Sequence, residues 1–153
     1  MNASTDRIER KITLKASRSR VWRALSDSKE FGAWFGVDFK GKPFVTGKPI
    51  TGQITYPGFE HLEMEVVIEQ MVPERLLSWH WHPAAIDPGV DYSQEPMTLV
   101  VFELEDAEGG ISLRVVESGL DKIPIERRAT VFRMNSSGWE EQMQNIEKHV
   151  AAS

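Results

Sequence analysis

Cysteine is absent from this 153-residue chain. Its absence removes disulfides, thiolate metal centres and cysteine nucleophiles, and it is compatible with a reducing, cytoplasmic setting. Long apolar runs are also missing. No stretch approaches the roughly 20 apolar residues that span a bilayer, and Met1 to Arg10 is polar and charged, without the apolar centre of a secretory leader. The expectation is a cytoplasmic protein with no membrane insertion. Basic residues are in the minority, 18 against 23 acidic, for a formal charge of −5 and a pI near 5.4. Proteins that hold nucleic-acid backbones usually carry the opposite balance, so nucleic acid is not an expected partner. The sequence has no Gly-x-Ser-x-Gly elbow, no P-loop and no dinucleotide fingerprint. No cofactor is expected, no catalytic set can be named, and enzymatic activity is left open.

What remains has an ordinary globular balance, 41% apolar and 27% charged, and the length of a single domain spanning residues 1–153. Trp139, Met143, Ile146 and Val150 recur at helical spacing, which predicts an amphipathic helix over Asn135–Ser153. Ile8 to Leu14 reads as a first strand. Ser17 is a good N-cap for a helix carrying Val21, Trp22, Ala24 and Leu25, and a second short helix starts near Ser28 and fades at Gly32. Strands then dominate from Val37 to Glu117: a pair ending near Thr55, one over Glu63–Met71, one over Leu76–His82, and a hairpin of Thr98–Glu105 with Ile111–Glu117. Pro83 to Pro96 reads as a surface loop, and Leu120 to Met134 as a mixed region with a helical turn after Pro124. One terminal helix with so wide an apolar stripe needs a broad sheet to lie on. A curved antiparallel sheet around a long C-terminal helix, with two short helices after strand 1, is an α+β arrangement that tends to leave a cavity between its layers.

The residues that would line such a cavity follow from alternation. In Leu77-Ser78-Trp79-His80-Trp81-His82, period two sends Leu77, Trp79 and Trp81 to one face and the two histidines to the other. Val100, Phe102 and Leu104 share a face by the same rule. The candidate ligand-binding wall is therefore Trp79, Trp81, Phe102, Trp139 and Met143, with Phe35 near the mouth. The same rings would also serve as plain core packing.

Other chemistry is thinner. His80 and His82 project to one side, and His61, Glu63 and Glu65 on a neighbouring strand would have to complete any zinc site; two solvated histidines on the convex face are the simpler reading, and no metal is expected. Asp87, Asp91, Tyr92 and Glu95 do not follow calcium-loop spacing. Titratable candidates Glu117, Asp38, Glu60, Arg114 and Tyr56 are scattered over strand ends and form no dyad or triad. Glu117-Ser118-Gly119 reads as a strand exit in which Gly119 supplies the backbone conformation, and Gly138 as a close approach of helix to sheet.

Several stretches resemble a known family. Val21-Trp22-Arg23-Ala24-Leu25 with Trp34-Phe35-Gly36, Val72-Pro73-Glu74-Arg75-Leu76 leading to Ser78-Trp79, Glu117-Ser118-Gly119, and Asn135 to Trp139 are similar, in that order, to the activator of heat-shock-protein-90 ATPase homologue-like family of the START-like (SRPBCC, birch-pollen-allergen-like) superfamily. The resemblance runs roughly from Ile8 to Val150 and implies a helix-grip fold. Relatives bind lipids, hormones or polyketides, act as cyclases, or assist a chaperone, so the fold leaves function open. Two functions are expected from this. The first is binding of a hydrophobic or aromatic small molecule between sheet and helix. The alternative is a protein-interaction module of the ATPase-activator type, although this chain has no room for the additional N-terminal domain of the eukaryotic activator. Either a monomer or a homodimer is compatible with exposed edge strands.

Overall fold

Period-two burial and two kinds of cap account for most of the architecture. The computed structural model describes residues 6–85 and 89–151. The strands are β1 (Arg7–Leu14), β2 (Val37–Asp38), β3 (Pro49–Ile54), β4 (Glu63–Val72), β5 (Leu76–Trp81), β6 (Thr98–Ala107) and β7 (Gly110–Ser118), and the helices are α1 (Arg18–Ser26), α2 (Ser28–Phe35) and α3 (Ile125–Ala151). All strands join one curved antiparallel sheet in the order β1-β7-β6-β5-β4-β3-β2. The expected helix-grip layout is present: α3 lies along the concave face, and α1 and α2 follow β1.

On β6 every second residue, Thr98, Val100, Phe102 and Leu104, is buried, and Ile111, Leu113, Val115 and Glu117 answer them on β7. The register between β4 and β5 slips at Glu69, a bulge that bends the sheet at that point. Ser78 donates to Glu69 Oε1 at 2.9 Å and so ties the two strands across the bulge. From the concave side α3 supplies Val131, Trp139, Met143, Ile146 and Val150. Burial of five such side chains stabilises the docked helix by about 1.5–3 kcal/mol each before chain entropy is counted.

Two helix boundaries differ from expectation. Ser17 caps α1 as predicted, its Oγ accepting from Arg20 N at 3.2 Å. The second helix, however, runs three residues past Gly32. Asp27 caps its start, and Gly36 closes it at φ 95°, a conformation that suits glycine. Gly32 is small for another reason: a Cβ there would lie 2.1 Å from the Val37 carbonyl oxygen. The terminal helix starts at Ile125, ten residues before Asn135. The Pro124 carbonyl accepts from Arg127 and Arg128 N–H and so opens the helix, while Asn135-Ser136-Ser137-Gly138, which imitate a start signal, are interior turns. Among the described residues no helix is long and apolar enough to cross a membrane.

Candidate functional site

β7 carries its inward stripe one residue further than hydrophobicity suggests. After Ile111, Leu113 and Val115 the next inward position is Glu117, which is fully buried. A carboxylate taken out of water costs several kcal/mol unless its oxygens are satisfied. Here they are. Oε2 accepts from Trp81 Nε1 at 2.9 Å and Thr98 Oγ1 at 2.6 Å, while Oε1 accepts from Trp139 Nε1 at 2.9 Å and Asn135 Nδ2 at 2.8 Å. The partners come from β5, β6 and α3, so one side chain ties the sheet to the helix. It also fixes two indoles: each ring has its only donor engaged and is held in one orientation.

Those two indoles form a wall. Trp81 and Trp139 lie 5.8 Å apart between centroids, and Phe35 closes a triangle at 6.3 Å and 6.0 Å from them. In front of the triangle is a cleft of about 370 Å³, bounded by Ile54, Tyr56 and Leu62 on the sheet side and by Met134, Asn135, Gly138 and Gln142 on α3. The half-exposed rings of Phe59 and Met134's side chain stand at its rim. An adjoining recess of about 290 Å³ shares Phe35, Ile54, Tyr56, Trp81 and Gln142 with the cleft and continues past His82 to Tyr92. Gly138 does not bring α3 close to the sheet. A Cβ at Gly138 would meet nothing within 4 Å, and the residue borders the cleft.

Of the wall expected from sequence, Phe35, Trp81 and Trp139 face the cleft. Trp79, Phe102 and Met143 lie behind them: the first two are fully buried, and Trp79 packs at 5.5 Å from Trp81 and 5.3 Å from Phe102. Phe102 in turn meets Trp139 at 5.7 Å. These three back the wall rather than form its surface. Among the described residues, Trp79 Nε1 is buried without an acceptor and His82 Nδ1 without a partner.

The remaining titratable candidates are not brought together. Tyr56 is in the cleft, its hydroxyl accepting from Asn145 Nδ2 at 3.2 Å. Asp38 caps the Lys40 amide. The exposed Glu60 accepts backbone N–H bonds, including one from Gly58, and these hold its carboxyl below the usual range. Arg114 pairs with Glu103 and Glu9 on the convex face, and the Glu103 hydrogen bond raises its pKa further. His80 lies 3.7 Å from Glu69. Glu63, Glu65 and His82 border the recess, yet among the described residues no group of three or more histidine and carboxylate side chains is placed to hold a metal ion. Asp91 caps Ser93, which lowers its pKa, and Glu95 binds Arg127 through both oxygens. Asp87 lies outside the described residues.

Sequence reasoning named Glu117 and Tyr56 only as scattered titratable candidates; it missed Glu117 as the hub, and with it Asn135 and Gln142. One signal was available. Asn135, Gly138, Trp139 and Gln142 fall at steps of three, one and three on a single face of any helix that begins at Ile125.

None of the curated proteins compared with this chain matches it. Solved structures share its fold: protein MLL2253 from Mesorhizobium loti (TM-score 0.71, 19% identity, 96% of this chain and 98% of that one), a protein from Arthrobacter aurescens (0.76, 14%, 99% and 91%), and the Aha1 dimer from Colwellia psychrerythraea (0.66, 16%, 94% and 95%). At such identities the likeness is one of fold. The model of one family matches residues 15–151, and the chain belongs to that family, described as activator of Hsp90 ATPase homolog 1-like protein.

Proposed function

We propose that the protein binds a small hydrophobic or aromatic molecule in the cleft between the sheet and α3. The observation that carries this is the pairing of open space with a fixed wall: a recess of about 370 Å³ faces two indoles whose orientation is locked from behind by Glu117. A volume in that range suits a guest of modest size, and a wall that need not reorganise lowers the entropy lost on binding. Phe35, Trp81 and Trp139 supply the contact surface, Trp79, Phe102 and Met143 support it, and Gly138 borders the cleft.

The test is a thermal-shift and tryptophan-fluorescence titration with neutral apolar compounds, repeated on Gly138→Phe. Replacing this glycine inside α3 meets no neighbour at Cβ, so the variant is expected to fold, with an unchanged circular dichroism spectrum. Its phenyl ring fills the cleft and abolishes the response. A variant that binds as well as the parent refutes the proposal.

The family match also supports a second reading, a protein-interaction module of the ATPase-activator type. The exposed Phe59 and Met134 at the rim, on a chain of net charge −5, would meet a partner with an apolar and basic surface. Stoichiometric capture of purified Hsp90 would support this reading. Light scattering of the same sample separates monomer from homodimer, for which β1 and β2 are the sheet edges.

A further inference from the structure

The charges and donors around the cleft narrow its occupant further, a step that rests on the reading of the cleft as a ligand site. Its walls and those of the adjoining recess carry six aromatic rings: Phe35, Tyr56, Phe59, Trp81, Tyr92 and Trp139. The carboxylates beside them are Glu141 at the cleft and Glu63 and Glu65 at the recess, and among the described residues no lysine or arginine lines either space. Lys148 and His149 line a neighbouring groove that meets the recess at Gly36 and Tyr56. Arg127 stacks on Tyr92 with its Cζ 4.7 Å from the ring centroid, but both Glu95 oxygens neutralise it, at 3.0 Å and 3.1 Å.

Four nitrogen donors facing this region are already in use; His82, whose buried Nδ1 has no partner among the described residues, borders the recess and not the cleft. Trp81, Trp139 and Asn135 serve Glu117, and Gln142 Nε2 donates to the Phe35 carbonyl at 2.9 Å. A guest in the cleft therefore meets mainly ring faces and oxygen atoms. An anionic guest in the cleft would be desolvated beside carboxylates with no lysine or arginine in the lining to receive it. A cation gains twice, from the negative faces of the rings and from the acidic rim. We infer that the cleft takes an organic cation, an aromatic or alicyclic amine or quaternary ammonium compound, and discriminates against carboxylates.

Three probes that share a 2-naphthylmethyl group test this by titration calorimetry: (2-naphthylmethyl)trimethylammonium, 2-naphthylethanol and 2-naphthylacetate. The ammonium compound is expected to bind about tenfold more tightly than the alcohol, in line with a partly desolvated cation–π contact, and the carboxylate most weakly. The triple variant Glu63→Gln, Glu65→Gln, Glu141→Gln should lower the ammonium-to-alcohol ratio, leaving the part that the ring faces supply. Equal affinity for all three probes, or tightest binding of the carboxylate, overturns the inference and leaves an apolar site in place. No heat from any probe, the alcohol included, overturns the cleft reading itself, and this inference with it.

Discussion

Glu117→Gln changes one oxygen to an amide nitrogen and leaves the volume of the side chain nearly unaltered, which makes it the sharpest probe of the buried hub. The amide can sit in two orientations. With its nitrogen in place of Oε2 it opposes the Trp81 N–H, although the Thr98 hydroxyl can reverse and accept. With its nitrogen in place of Oε1 it opposes the Trp139 N–H, although Asn135 can turn its own oxygen inward. In both cases one indole donor loses its acceptor. A buried donor left without a partner costs about 1–3 kcal/mol, which for a domain of this size lowers Tm by about 3–10 °C. Glu117→Leu strips both indoles of their acceptor and should cost about 2–6 kcal/mol. Urea unfolding supplies the energies. Two-dimensional NMR of the indole N–H groups supplies the mechanism: one resonance moves in Glu117→Gln and two move in Glu117→Leu. The reasoning is refuted if Glu117→Gln unfolds within about 0.5 kcal/mol of the parent, the scatter of ordinary surface substitutions, with both indole resonances unmoved.

Arg127→Ala removes the bidentate contact to Glu95, a 3.2 Å bond to the Pro83 carbonyl and the stack on Tyr92; the expected loss is about 1–3 kcal/mol, with faster amide exchange at Ala84, Ala85 and Tyr92 beside the recess, and unchanged exchange there would show that this arginine does not hold the β5–β6 connection. Glu30 joins α1, α2 and α3 through Arg20 at 2.7 Å, Arg23 at 2.8 Å and His149 at 3.0 Å. Burial alone would raise the pKa of Glu30, but the hydrogen bonds from His149 and Arg20 and the charges of Arg20 and Arg23 outweigh it and hold it low. A depressed carboxyl pKa contributes stability that is complete above the unfolded value of about 4.3 and is lost as pH falls through the folded value. Denaturation midpoints measured from pH 6 to pH 3 should therefore decline less steeply in Glu30→Gln than in the parent, and parallel profiles would refute the assignment.

The fold was readable because its signals are local and repeated. Alternation on Val100-Phe102-Leu104 and on Ile111-Leu113-Val115 fixes which side of the hairpin is buried, and the Trp139–Val150 stripe requires a surface to cover it. Boundaries were harder, because a cap signal is short and can be imitated. Asn135-Ser136-Ser137-Gly138 carries the residue types of a helix start, yet it sits a third of the way along α3, where packing of Val131 and Trp139 on the same side outweighs the low helix propensity of Ser and Gly. Alternation picked out Trp81 and helical spacing picked out Trp139, whereas neither rule placed Phe35. What separates these three from Trp79, Phe102 and Met143 is whether they border the cleft, and a periodicity assigns a side chain to a face without saying which part of that face meets open space. Glu117 was hidden by its own chemistry: a carboxylate at a strand end ordinarily faces water, and only the convergence of four donors from β5, β6 and α3 makes burial tolerable.

That convergence explains why the inward stripe of β7 ends in a carboxylate rather than in another aliphatic residue. A leucine at 117 would pack, but two indole N–H groups on opposite layers would then face an apolar neighbour. A phenylalanine at 81 or 139 removes the donor and, with it, part of the need for the acceptor. The demand for Glu117 is thus created by the tryptophans it orients, and the stabilities of the set should be coupled. In a Trp81→Phe, Trp139→Phe background, Glu117→Leu should lose much of its penalty, a coupling of about 1–3 kcal/mol for groups in direct contact. Were the penalty the same in both backgrounds, Glu117 would be acting through Thr98 and Asn135 alone, and the orientation of the aromatic wall would owe nothing to it.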